Sequence, residues 1–147
     1  MLGCLALASC GSLREPTTAQ LLRRAVDGMP GVAAGAALVS VEADSTEAAW
    51  GRIVRARTET PLAESRLLAR AFEAAAAEPA LIAVGGPYPK LTEQVLLDAF
   101  ALARTDPLAG LRLVHVSPEP PSAELLAVCA KRGAVCEHRA WTGRPAE

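Results

Sequence analysis

Aromatic side chains make up only 3% of this 147-residue chain, which excludes a core built on ring packing and leaves aliphatic side chains to fill it. Lysine is nearly missing as well. Lys90 and Lys131 stand beside thirteen arginines, and the acids bring the formal net charge to -1, so the chain has none of the basic excess that binding a nucleic acid requires. No apolar run approaches the roughly 20 residues of a membrane-spanning helix. There is no G-x-S-x-G hydrolase elbow and no glycine loop with nucleotide-binding spacing, so no cofactor is implied.

What the chain has in quantity is alanine. Thirty-one alanines among 51% hydrophobic residues favour helix, because alanine gives up no side-chain entropy on entering one. The length suits one domain with a proper core and is too short for two.

Along the chain, helical and strand periodicities alternate. Thr17 or Thr18 can cap a helix with the apolar stripe Leu22, Ala25, Val26 and Met29, ended by Pro30-Gly31. Residues 36 to 43 read as a first strand. Asp44-Ser45-Thr46-Glu47 then has the form of an N-cap with a reciprocal glutamate, followed by a helix with Trp50, Ile53, Val54 and Arg57 on one face. A second helix starts near Thr60-Pro61 and buries Leu68, Ala71, Phe72 and Ala75. After it come strand 80 to 85, helix 91 to 104, strand 111 to 116, helix 121 to 132 and strand 134 to 140. Crossovers of this length join parallel strands. The expected fold is α/β, a three-layer sandwich of about four mainly parallel strands with helices on both faces. The two middle strands are continuously apolar, whereas the last alternates apolar and polar residues, which places it at an edge.

The first residues do not fit that rhythm. Leu7-Ala8-Ser9-Cys10 resembles the lipobox of bacterial lipoproteins, in which an apolar and two small residues precede a cysteine that is acylated and becomes the mature N-terminus. The resemblance covers about a dozen residues and implies an address and an anchor, not a fold. It divides the chain into a partial signal over residues 1 to 9, a small, polar, proline-broken tether over 10 to 17, a domain over 18 to 140 and a tail over 141 to 147. No Lys or Arg precedes the apolar run, so the start of the gene product is expected upstream. Gly11, rather than aspartate, after the cysteine implies delivery to the outer membrane, facing the periplasm. The membrane, through lipid on Cys10, and an envelope protein are then the expected partners. A short buried strand or an apolar end of a cytoplasmic protein is the competing reading of residues 2 to 8.

In open parallel sheets, ligands collect beyond the carboxyl ends of the strands. Three loops qualify, at residues 42 to 46, 85 to 92 and 117 to 122. In GGPYPKLT, Gly85 and Gly86 would let a ligand approach the backbone, Tyr88 is the sole tyrosine, and Lys90 offers a cation near a helix start. Glu42 and Asp44 would serve as base or cation ligands if Ser117 and Glu119 converged on them; capping by Asp44 is the simpler use. Arg52 and Arg55 read as a solvated helix face.

Cys129, Cys136, His115 and His138 form the remaining group. A copper or zinc site is conceivable there, but the spacing C-x6-C-x-H matches no structural zinc pattern, so no metal is expected, and His115 reads as a hydrogen-bonded core residue. If a signal carries Cys4 away and Cys10 is acylated, two thiols remain, an even number in an oxidising compartment. Cys129 lies on the apolar stripe of its helix and Gly133 turns the chain back, so a Cys129–Cys136 disulfide is expected. Two independent thiols would accompany the cytoplasmic reading. Two functions follow: a lipid-anchored binding or assembly module without catalytic groups, or a small-molecule-binding domain or enzyme acting on an anionic ligand at the three loops.

Overall fold

The computed structural model describes residues 15 to 32 and 35 to 144. In chain order these form α1 (Thr18–Val26), β1 (Ala36–Ser40), α2 (Thr46–Thr58), α3 (Ala63–Ala77), β2 (Ala80–Gly85), α4 (Pro89–Leu102), β3 (Leu111–Ser117), α5 (Ala123–Lys131) and β4 (Val135–Ala140). The strands lie in the order β1-β2-β3-β4, and every neighbouring pair is parallel. The protein is an α/β sandwich of three layers.

Strand order that follows chain order has a consequence for the layers. Successive right-handed crossovers that all step the same way lay their helices on the same face of the sheet. Accordingly Ile82, Val84, Leu111 and Leu113 pack into one cluster with residues of α2, α3, α4 and α5. On the other face, Leu81, Ala83, Val114 and Val116 meet Leu22 and Val26 of α1, with Met29 beside them. The third layer is therefore a single helix. Because β2 and β3 are covered on both faces, neither alternates in burial, which explains the unbroken apolar runs. β4 lies at an edge and is only partly buried along its length.

Local chemistry sets the element ends. Thr17 accepts from Gln20 N at 3.2 Å while the Gln20 side chain accepts from Thr17 N at 2.9 Å, a reciprocal cap. Ser45 caps α2 by accepting from Ala48 N, so the cap falls on Ser45 and not on Asp44. At the far end of α4, Arg132 reaches back from the end of α5. Its guanidinium donates to the carbonyls of Phe100 and Ala103 (2.8 Å), acceptors that a helix end leaves without intrahelical donors, and to that of Thr105 (2.7 Å) in the loop beyond. The Phe72 and Phe100 rings, with centroids 4.8 Å apart, sit between α3 and α4 in the larger cluster.

The structure corrects three further sequence expectations. The first helix stops at Val26; Gly28, at φ 79°, turns the chain, and Met29 is buried from the turn rather than from the helix. The first strand ends at Ser40 instead of residue 43, because only Ala36 to Ser40 find parallel partners on β2. In α2 the buried residues are Ala49 and Ile53, whereas Trp50 and Val54 are 52% and 55% exposed. The reason is that α2 rests against α4, and one helix covers only a narrow stripe of another.

Candidate functional site

The carboxyl ends of the strands hold the predicted residues but divide them. Gly85 and Gly86 are buried, and a Cβ would lie 2.1 Å from the Val116 carbonyl oxygen at Gly85 and 2.0 Å from that of Val41 at Gly86. Backbone from the neighbouring strands fills that space. Val41 N donates to Gly85 O at 2.9 Å and Gly86 N to Val116 O at 3.3 Å, so both glycines serve the close approach of chain to chain.

Glu42 and Asp44 border an open cleft of about 620 Å³ with Thr18, Arg52, Arg55 and Pro87. Arg52 is not simply solvated, since it donates to the Glu42 carbonyl and pairs with Glu64 at 2.5 Å, tying the exit of β1 to α2 and α3. Tyr88 and Lys90 line a different groove, of about 190 Å³, with Trp50, Ile53 and Leu91. Ser117 is fully buried and its hydroxyl accepts from Glu119 N at 3.3 Å. β3 lies two strands from β1, roughly 10 Å away at ordinary strand spacing, so Ser117 does not join Glu42 and Asp44. An open α/β sheet makes its ligand crevice where strand order reverses. Among the described residues the strand order has no reversal.

A tighter cluster lies between β3, β4 and α5. His115 stands directly opposite His138 in the parallel register, and their Nδ1 atoms are 3.3 Å apart. Whichever ring donates in that contact, Nε2 of His115 is buried without a hydrogen-bond partner. Burial holds the His115 pKa down at about 4, with the charge of His138 adding to the effect and Glu93 opposing it; the ring is neutral near pH 7. A disulfide joins Cys129 to Cys136, with Cα atoms 6.3 Å apart. His115, His138 and both cysteines line one small cavity, of about 80 Å³, walled by Leu113, Pro121, Leu125 and Leu126.

Pairing of His115 with His138 escaped the sequence reading, which placed each on a strand but had no register to set them side by side. Equal parity with Leu113 and Cys136 was the available signal. In this disulfide form, no group of three or more His, Cys, Asp or Glu among the described residues is arranged to hold a metal ion. Among the same residues no helix is long and apolar enough to cross a membrane. Cys10, the signal-like run before it and the start of the tether lie outside the described residues. No protein-family model, curated protein or solved structure matches the chain.

Proposed function

We propose that the protein is a lipid-anchored component of the bacterial cell envelope, held by acyl chains on Cys10 at the outer membrane and facing the periplasm, whose α/β domain is a binding or assembly module. The observation that carries the reading is the Cys129–Cys136 disulfide, since such bridges form and persist in oxidising compartments outside the cytoplasm. It supports the lipobox-like Leu7-Ala8-Ser9-Cys10 from the opposite end of the chain. The separation of Glu42 and Asp44 in one cleft from Tyr88 and Lys90 in another, with Ser117 buried, favours a module over an enzyme, because catalysis needs its groups within reach of one reacting atom.

Metabolic labelling with a radioactive fatty acid in a bacterial host tests the anchor. The full-length gene product takes up label and fractionates with outer membranes, and Cys10→Ser does neither. Equal labelling of the two proteins, or of neither, refutes the reading.

A further inference from the structure

The cavity beneath α5 collects two imidazoles and two sulfurs, the donor set of a tetrahedral zinc site, and the disulfide occupies the sulfurs. We propose that reduction of the Cys129–Cys136 bridge converts this cluster into a Cys₂His₂ site for Zn²⁺, so that the domain is closed either by a disulfide or by a metal and never by both. Three observations converge on it. All four side chains line the same cavity of about 80 Å³. In a tetrahedral site with Zn–N bonds of about 2.0–2.1 Å, two ligating nitrogens stand about 3.3–3.4 Å apart; the Nδ1 atoms of His115 and His138 are 3.3 Å apart, which is long for a hydrogen bond.

The third is sequence geometry. Cys136 and His138 are two apart on β4 and share its α5-facing side, the register places His115 beside His138, and Cys129 is already within bonding reach of Cys136. Each ligand is thus fixed by an element that the fold holds in place.

The chemistry balances with a dithiol as reductant. Its thiolate attacks Sγ of Cys136, which is half-buried on the edge strand, and Cys129 leaves as a thiolate. The second thiol of the reductant then resolves the mixed disulfide, releasing Cys136 and leaving the reductant as a disulfide. Zn²⁺ binds the two thiolates and the two neutral imidazoles, and any protons still on sulfur pass to solvent.

The test uses the full chain, reduced with a dithiol and exchanged anaerobically into metal-free buffer, and Co²⁺ as a coloured substitute for Zn²⁺. One equivalent of Co²⁺ should give the intense visible bands of a tetrahedral ion together with sulfur-to-cobalt charge transfer, and Zn²⁺ should bleach them. The disulfide form should give neither, nor should the Cys129→Ser/Cys136→Ser double variant. Replacing His138 by Ala should weaken binding beyond the ~10- to 100-fold that follows loss of a hydrogen-bond partner to a ligand. Should reduction itself unfold the chain, one equivalent of Zn²⁺ must restore the far-ultraviolet circular dichroism. The proposal is overturned by reduced protein that gives no cobalt bands, by bands unchanged in a His115→Ala/His138→Ala variant, by equal binding in the disulfide form, or by reduced chain that zinc does not refold. The readout involves neither lipid nor location, so its failure leaves the anchor proposal standing, and the reverse holds too.

Discussion

Acid should destabilise this protein through one buried ring. His115 is 3% exposed, and its pKa falls from 6.5 to about 4, first because burial penalises the imidazolium and then because of His138. The folded state therefore holds the proton less tightly than the unfolded chain does, so the stabilisation is fully present above pH 6.5 and is lost as pH falls toward 4. Between pH 7.5 and 4.5 the unfolded chain gains nearly a whole proton that the folded state takes up only in part, a difference of about 2.5 kcal/mol at about 1.4 kcal/mol per pH unit. At urea m-values of about 1–3 kcal/mol/M, the midpoint of unfolding moves down by about 1–2.5 M. Carboxylates also titrate in this window, so the comparison must be made with a variant that lacks only this ring. His115→Gln is less stable at pH 7.5, having lost the contact with His138, but its urea midpoint falls less with acid by the amount calculated. The measurement is urea unfolding of the disulfide form of both proteins, without metal, at the two pH values. Parallel losses in the two would show that His115 takes up its proton in the folded state as easily as in the unfolded one, and the argument from burial would fail.

Three further outcomes follow from the packing. Gly86→Ala puts a Cβ 2.0 Å from the Val41 carbonyl oxygen, an overlap that backbone must move to relieve; it should cost at least the ~1–3 kcal/mol of an overpacked core position, and a urea midpoint equal to wild type would contradict the close approach. Arg132→Ala strips the carbonyls of Phe100, Ala103 and Thr105 of their donor, a loss of about 2 kcal/mol, whereas Arg139→Ala, removing an exposed 3.8 Å ion pair with Glu137, should change the urea midpoint little; equal effects would remove the capping role from Arg132. Opening the disulfide under a chelator releases a loop with a sequence separation of 7, and chain entropy puts the loss at about 2.5 kcal/mol; a melting temperature indifferent to reductant would show that the bridge contributes nothing.

Much of the fold was legible because its signals are local. The runs ALIAVG and LRLVHV are apolar without alternation, as strands covered on both faces must be, and proline, glycine and serine mark the element ends within a few residues. The loops at residues 42 to 46, 85 to 92 and 117 to 122 do follow the carboxyl ends of β1, β2 and β3, but no local pattern says which of their residues share a cleft. Whether three loops share a crevice depends on the order of strands, which no local pattern carries.

By itself, the sequence determined which segments become helices and strands, that the parallel connections follow from crossovers of this length, and that Cys129 and Cys136 lie a turn and a strand apart. Those properties rest on periodicity and on short-range chain geometry. Only the tertiary structure decided the rest: a strand order that sets Ser117 apart from Glu42 and Asp44; neighbouring carbonyls that leave Gly85 and Gly86 no room for a side chain; and a register that sets His115 opposite His138. Each of these is a contact between residues distant in sequence, fixed by the packing of the whole sheet against its helices, and a one-residue slip of β4 would have turned His138 and Cys136 to the other face.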